Sequence, residues 1–402
     1  MTNELRTSSK GLRLGRNVLV LAAVSLLTDA SSEIIYPLLP IFLTTVLGAS
    51  ASAIGAIEGA AETTAALLKL ASGWWSDRAS KRKPLVVAGY ALASLARPLV
   101  AIAQSATQVL AIRLTDRVGK GIRGSPRDAL IAESVDPAIR GKAFGFHRAA
   151  DHAGAVIGPL IAFMLLRWEQ LPLRTVFLVA ALPGLLSVIV LVLGVRETPH
   201  DARSATMSKA SAPKLDPALG RPFWIFLGSM LLFTLGNSTD AFLILRANQL
   251  GVSVALIPIL WAALHVVKSA ASVPGGALSD RIGRKPLIFA GWAVYAGVYL
   301  AFGRATTSWE AWGLFLAYGV FFGLTEGTQA ALVADLVGRE RRGTAYGWFY
   351  LAVGIGALPA SVLFGFLWDR FGPTMAFDVG AGLAAAAALV LLAVRPSRTV
   401  AA

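Results

Sequence analysis

Long apolar runs separated by short polar segments recur along the whole chain. Residues 176–195 and 287–303 carry no charge, whereas residues 85–104 carry only Arg97 and residues 374–394 only Asp378. An α-helix rises 1.5 Å per residue, so about 20 apolar residues cross the ~30 Å hydrocarbon core of a bilayer. About twelve such runs follow one another. The pattern predicts an all-α polytopic membrane protein with twelve transmembrane helices.

The composition supports a membrane protein over a soluble one. Of the 402 residues, 55% are hydrophobic and 15% are charged, against about 25% charged residues in soluble domains. The first apolar run continues past Tyr36 and Pro40, which is too long for a cleaved signal peptide. Cysteine is absent, so disulfides, thiolate metal sites and cysteine nucleophiles are excluded. We expect neither a cofactor nor a metal.

The net charge of +14 is concentrated in alternate polar segments. If the N-terminus is cytoplasmic, most Lys and Arg residues lie on the inner side, and Arg167, Arg174, Arg304 and Arg370 lie outside. This asymmetry follows the positive-inside rule and predicts a multi-pass protein of the inner membrane with both termini cytoplasmic. Because the basic residues flank membrane spans, we expect the bilayer as partner and no nucleic acid.

A proline-containing polar stretch divides the chain into two parts of similar length. It spans residues 196–221 and contains Pro199, Pro213 and Pro217 without an apolar run, as is typical of a linker. We therefore predict an N-terminal six-helix half at 1–195, a cytoplasmic linker at 196–221 and a C-terminal six-helix half at 222–402.

The two halves share short motifs at an offset of 202 or 203 positions. The first motif spans residues 73–78 and returns at 276–281; the second spans 132–133 with 140–145 and returns at 334–335 with 342–347. A repeat at constant offset indicates two copies of one unit. We expect two pseudo-symmetric six-helix bundles, an arrangement that can alternate access to a central site.

The first repeated motif resembles the loop between helices two and three of the major facilitator superfamily, whose pattern is G-x-x-x-D-R-x-G followed by basic residues. The matching positions are Gly73, Asp77 and Arg78 in the first copy, where Ser80 replaces the second glycine, and Gly276, Asp280 and Arg281 in the intact second copy. The resemblance implies that these residues gate the transporter. The alternative is a generic basic turn.

Helix five resembles the antiporter motif of the same superfamily through Gly145, Gly154, Gly158 and Pro159. The alternative is ordinary small-residue packing, which membrane helices use widely. On helix four, Arg117 and Gly121 match a further signature, although Lys120 replaces its usual glutamine. Together these motifs resemble a twelve-helix bacterial branch of drug or metabolite:proton antiporters.

Many ionisable residues fall within the predicted spans, where a charge is costly unless it faces protein or water. Arg113, Asp116, Arg117 and Lys120 share one stripe of helix four. Buried ion pairs that fix helix register are the alternative to a role in transport. The candidates for proton coupling or the substrate cavity are Asp29, Glu33, Glu62, Arg113, Asp116, Arg117, Arg148, Asp151, Asp240, His265 and Glu326.

These features predict a secondary active transporter that moves a small organic solute by alternating access, with proton-coupled efflux as the leading interpretation. The cationic stripe on helix four favours an alternative, proton-symport uptake of an organic anion; a non-transporting receptor is a further one. No G-x-x-x-x-G-K-[ST] loop for ATP occurs, and His147, His152, His200 and His265 lack metal-ligand spacing. We therefore expect no enzyme, protons and a small molecule as partners, and a monomer.

Overall fold

The computed structural model describes residues 14–78, 81–135, 140–196, 219–337 and 341–394. Within these ranges the side chains of residues 70, 73–74, 76–78, 140–142, 273 and 342–343 are outside the description. The predicted gating residues Gly73, Asp77 and Arg78 therefore lie outside the described side chains, as do the basic residues of the predicted linker from 197 to 218.

The described residues form fifteen α-helices. In chain order these are α1 Arg16–Ile35, α2 Leu39–Thr45, α3 Ala51–Arg78, α4 Lys83–Ala96, α5 Ala106–Glu133, α6 Arg140–Arg167, α7 Leu173–Val179, α8 Ala181–Gly194, α9 Arg221–Gly236, α10 Ala241–Gln249, α11 Ile257–Ile282, α12 Arg284–Arg304, α13 Ser308–Leu336, α14 Arg342–Phe371 and α15 Pro373–Leu392.

These helices group into twelve segments because three pairs continue one another along the chain. The pairs are α1 with α2 in Arg16–Thr45, α7 with α8 in Leu173–Gly194, and α9 with α10 in Arg221–Gln249. Nine of the segments in the described part of the chain are long and apolar enough to cross a membrane. The grouping fits the twelve transmembrane helices predicted from the sequence.

The other three segments are α3, α5 and α13. They have 28, 28 and 29 residues, which is long enough to cross a membrane. They differ from the other nine segments because their composition is less apolar. Each carries ionisable groups within its span, and α5 carries the charged stripe predicted for helix four. Low mean hydropathy is expected where a membrane helix turns polar side chains toward protein or water.

Three interruptions fall inside the apolar segments. A 3₁₀ turn, Tyr36–Leu38, joins α1 to α2 at Pro37, and α7 meets α8 at Ala180. The largest interruption separates α9, which ends at Gly236, from α10, which begins at Ala241. The backbone polar groups of such breaks must be satisfied by protein or water, so breaks are natural positions for functional groups.

The chain divides into two compact units. The first comprises Met1–Tyr36, Leu67–Ala103 and Ala111–Lys209, and the second comprises Pro37–Ala66, Gln104–Leu110 and Ala210–Ala402. The first unit has a core of α1, α4, α5, α6 and α8, in which Leu21, Val24, Tyr90, Ile131 and Leu191 are fully buried. The six-plus-six division at 196–221 stays a prediction.

The second unit is organised around aromatic side chains and close helix contacts. Phe233 stacks on Trp292 with ring centroids 4.5 Å apart, and Tyr295 stacks on Tyr299 at 4.1 Å. Such offset pairs add to the free energy of burial. Trp292 and Phe321 are buried in this core.

Candidate functional site

Helix α6 approaches α1 so closely in the first unit that only glycine fits at two positions. A Cβ atom at Gly154 would overlap the Leu26 carbonyl oxygen, and one at Gly158 would overlap the Ala30 carbonyl oxygen. The same hypothetical atoms would lie 3.0 Å from the Cβ of Asp29 and 2.9 Å from the Cβ of Glu33. The contact therefore places both acidic residues of α1 beside α6.

Asp29 is partly buried at this contact and is influenced by both negatively and positively charged side chains. The charged groups that act on it include Asp151 on α6, Arg123 and Lys120 on α5, and Arg97. A carboxylate that faces another carboxylate and several cations is sensitive to any change in their spacing. Motion of α1 against α5 or α6 would therefore change its proton affinity.

Asp151 also has a neighbour on its own helix. The Nδ1 atom of His147 lies 3.6 Å from Asp151 Oδ2, and His147 is 2% exposed. Histidine is the side chain whose unperturbed pKa lies closest to neutral pH, and in this pair it lies beside a carboxylate. Asp29, Asp151 and His147 form a cluster that we call the acidic cluster.

A second group in the same unit centres on Asp116 of α5. Arg97 Nε donates to Asp116 Oδ1 at 2.7 Å, and Arg97 Nη1 donates to the Thr28 carbonyl at 3.0 Å. Arg113 Nη1 lies 3.6 Å from Asp116 Oδ2. All three charged side chains are at least nine-tenths buried, so they form a buried ion network that ties α1, α5 and the segment after α4.

The remaining charges of α5 and α6 are placed differently. Arg117 is buried and acts on Asp116, whereas Lys120 is exposed. Arg148 and His152 on α6 are also exposed. The predicted stripe on α5 is therefore buried over Arg113, Asp116 and Arg117 but not at Lys120.

Asp240 of the second unit lies at the break between α9 and α10. Tyr318 Oη donates to Asp240 Oδ1 at 2.6 Å, and Tyr295 Oη donates to the Gly236 carbonyl at 3.0 Å. Ser238 lies 3.3 Å from Tyr299 Oη. Three tyrosines thus satisfy the polar groups of the break, which leaves a carboxylate fixed inside an aromatic environment.

Further charges of the second unit surround this break. Lys268 Nζ lies 3.7 Å from Glu326 Oε2 and 3.8 Å from the centroid of the Phe322 ring. Lys268 and Glu62 both act on Asp240. His265 packs edge-on to Trp261 with centroids 5.0 Å apart. Four of the predicted site residues, Glu62, Asp240, His265 and Glu326, therefore belong to this unit.

An arginine that follows the first repeated motif pairs with an acidic residue of the second repeated motif in each unit. Arg284 Nη1 lies 2.5 Å from Asp280 Oδ1, and Arg284 Nε lies 3.4 Å from Asp335 Oδ2. Arg281 is exposed. In the first unit Arg82 forms an ion pair with Glu133. Arg82 and Arg284, like Glu133 and Asp335, are related by the 202-residue offset of the sequence repeat.

We expect Asp77→Asn and Asp280→Asn each to slow turnover by about fivefold or more, the scale of a coupling of about 1 kcal/mol or above. Asp280→Asn removes the charge that holds Arg284, and the loop of Asp77 carries the larger basic cluster, so its effect should be larger. Solute flux across everted vesicles, normalised to protein abundance, measures this. Wild-type rates in both variants would contradict the gating role.

Sequence reasoning identified most of these residues but passed over several. Arg97 is the only charge in its apolar run and should have been flagged on that ground alone. Tyr318 and Tyr295 gave no signal, because an aromatic residue inside an apolar helix is usually packing. Among the described residues, no group of three or more His, Cys, Asp or Glu side chains has metal-binding geometry.

Comparison with known proteins identifies the family. The sequence profile of the Major Facilitator Superfamily matches residues 21–267 and again residues 225–402. The chain belongs to the Major Facilitator Superfamily. Its membership of this superfamily of membrane transporters confirms the family resemblance predicted from the sequence.

Three similar proteins illustrate the relationship. An uncharacterized MFS-type transporter of Methanocaldococcus jannaschii is 36% identical over 97% of this chain and 98% of its own length. The multidrug resistance protein MdtH of Aeromonas hydrophila is 30% identical over 46% of this chain and 47% of its own length. The crystal structure of the nucleoside transporter NupG matches with a TM-score of 0.76 at 14% identity, covering 94% of this chain and 98% of that one. The last comparison concerns the fold alone.

Proposed function

We propose that this member of the Major Facilitator Superfamily exports a small organic solute in exchange for protons. The observation that carries the proposal is the contact of α1 with α6, which sets Asp29 and Glu33 against Gly154 and Gly158. The glycines are those of the antiporter-like motif, and the acidic residues are the candidates for proton coupling. Motif and ionisable groups thus meet at one helix interface.

The acidic cluster suits the chemistry of exchange. The proton affinity of a carboxylate depends on its burial and on neighbouring charges, and Asp29 has both Asp151 and three cations within range. A transporter that alternates access changes that environment once per cycle. Asp29 would then take up a proton on one side of the membrane and release it on the other.

Export is supported by the similarity to the multidrug resistance protein MdtH, which covers under half of this chain. The distribution of basic residues supports an inner-membrane location with cytoplasmic termini. We expect the aromatic break at Asp240 to contribute to solute binding, because a fixed carboxylate beside Phe322 and Tyr318 offers both charge and ring faces.

One observation favours proton-symport uptake of an organic anion as the second candidate. Four buried arginines, Arg97, Arg113, Arg117 and Arg123, act on the carboxylate of Asp116. Such a concentration of guanidinium groups would attract an anionic solute, since Arg binds carboxylates in bidentate geometry. The direction of movement under an imposed pH gradient distinguishes the two functions.

The test begins with a thermal-shift screen of purified protein against organic cations, anions and neutral compounds, since binding to the folded state raises apparent stability. Hits are then added to everted vesicles energised by respiration, with a pH-sensitive dye inside. Export by exchange predicts proton loss from the vesicle lumen on addition of the solute. A symporter would instead carry the added solute into the lumen together with protons, so proton gain in the lumen would support the symport function.

We expect Asp29→Asn to abolish solute-induced proton movement while exchange of labelled for unlabelled solute continues at a reduced rate. The amide keeps the shape and removes the titratable group. Arg167→Gln, which neutralises an exposed charge at the end of α6, is the matched control and should keep coupling. If Asp29→Asn still accumulates solute with the wild-type dependence on pH, the coupling role passes to Glu33 or Glu62.

A further inference from the structure

A cavity of about 520 Å³ lies in the first unit where α4 begins and α8 ends. Its polar lining consists of the three cations Lys81, Lys83 and Arg196, and its apolar lining includes Val87, Val192 and Val195. No carboxylate is among the described residues that line it. A cavity of this composition attracts an anion that carries apolar groups.

Hydrogen bonds hold the backbone on the cationic side of the cavity. Lys83 Nζ donates to the carbonyl oxygens of Val192 at 2.8 Å and Val195 at 2.7 Å, at the C-terminus of α8. Asn17 and Arg196 exchange two hydrogen bonds of 2.7 and 3.0 Å through the Arg196 backbone. The backbone at the cavity is therefore held from both sides, while the side chains of Lys81 and Arg196 are exposed.

The apolar side of the cavity continues into the exposed face of α8. Leu185, Ile189 and Leu193 are 43%, 53% and 74% exposed, and they follow one another at helical spacing. In a membrane protein such a face contacts acyl chains. It ends at Leu193, next to Val192 in the cavity wall, so acyl chains along α8 would bring a headgroup to the three cations.

We propose that this cavity binds the headgroup of an anionic phospholipid, with the phosphate at Lys81, Lys83 and Arg196 and the acyl chains along α8. Basic pockets between membrane helices on the cytoplasmic side suit anionic headgroups. The positive charge of the cavity favours a phosphate, and the adjoining lipid-facing surface of α8 favours a ligand with acyl chains. A phospholipid has both. The site lies apart from the acidic cluster and does not depend on the direction of transport.

The second unit contains a natural comparison. Lys285, equivalent to Lys83 in the repeat, donates to the carbonyls of Leu392 at 2.5 Å and Val394 at 2.9 Å. The cavity beside Lys285 is lined by Asp280 and Asp335 as well. Those carboxylates would repel a phosphate, so this second cavity lacks the purely cationic polar lining of the first, although the capping lysine is shared by both units.

The experiment uses the full-length protein in a neutral detergent with dioctanoyl-phosphatidylglycerol as the probe and the rise in Tm as the measure of binding. Dioctanoyl-phosphatidylcholine shows whether binding requires a net negative headgroup. Inorganic phosphate shows whether binding requires the acyl chains. We expect phosphatidylglycerol to raise Tm, and Lys81→Gln with Arg196→Gln to weaken its binding about tenfold or more, at about one kcal/mol per neutralised cation. Lys83 stays intact because it caps α8.

The matched control is Arg167→Gln with Arg221→Gln, which removes the same charge from exposed positions outside the cavity. It should bind phosphatidylglycerol as the wild type does. Equal stabilisation by phosphatidylcholine, equal stabilisation by inorganic phosphate, or equal loss in both double variants would each overturn the proposal. The first would indicate an apolar lipid contact, the second a free-anion site and the third a non-specific effect of net charge.

Discussion

Asp116→Ala is expected to destabilise the protein by about 3–5 kcal/mol, the usual loss when one partner of a buried ion pair is removed. Asp116 accepts from Arg97 at 2.7 Å and faces Arg113 at 3.6 Å, and the Arg97 and Asp116 side chains are 7% and 3% exposed. The variant would leave two guanidinium groups without this carboxylate. A fall in Tm of several degrees in detergent measures the effect.

Two further variants show whether the loss of stability in Asp116→Ala comes from burial of the ion pair or from loss of a charge alone. Glu326→Ala removes a carboxylate 3.7 Å from Lys268, but Glu326 is 65% exposed, so its loss should be about 1 kcal/mol or less. Arg97→Met combined with Asp116→Leu removes both members of the buried pair and should recover part of the stability lost in Asp116→Ala. A Tm of Asp116→Ala equal to that of Glu326→Ala would show that the network does not stabilise the fold.

Hydropathy predicted the helical architecture well because a bilayer allows few alternatives. A membrane-length segment must satisfy its backbone hydrogen bonds internally, so an apolar run of about 20 residues is almost always a helix. The breaks were not predicted. A window that averages over Arg221–Gln249 does not resolve the interruption after Gly236, although Gly236, Asn237 and Ser238 are poor helix formers.

The candidate site was predicted in part, for an equally physical reason. Ionisable residues within apolar runs stand out in a sequence, which is how Asp29, Asp116 and Asp240 were found. Their partners did not stand out, because the choice of partner depends on which helices pack together. Arg97 binds Asp116 across 19 positions of chain, and Tyr318 binds Asp240 across 78.

The repeat provides a stronger link between sequence and structure than any single residue. In each unit an arginine after the first repeated motif pairs with an acidic residue near the end of a helix: Arg82 with Glu133 of α5, and Arg284 with Asp335 of α13. The lysine that follows each arginine donates to carbonyl groups at the end of α8 or α15. The arginine, the acidic residue and the lysine of these contacts all recur at the 202-residue offset. The sequence repeat therefore preserves contacts as well as residue types.

Gly158→Leu is expected to abolish transport and to lower stability by about 1–3 kcal/mol or more, the range for overpacking in a closely packed interior. A Cβ atom there would overlap the Ala30 carbonyl oxygen and lie 2.9 Å from Glu33 Cβ. Backbone atoms cannot rotate away as a flexible side chain can, so α1 and α6 would have to separate. Separation would displace Asp29 and Glu33 from α6 and remove the arrangement on which coupling is proposed to depend.

The matched control for this prediction is Gly297→Leu on α12, a helical glycine outside the antiporter-like motif, where an added Cβ atom meets nothing within 4 Å. Leucine favours a helix over glycine by up to about 1 kcal/mol, so this control should be neutral or slightly stabilising. Spin labels on α1 and α6 would report a larger helix separation in Gly158→Leu and none in Gly297→Leu. An unchanged separation together with wild-type solute flux in Gly158→Leu would show that the close contact is dispensable, and the role of the glycines in exchange would then be wrong.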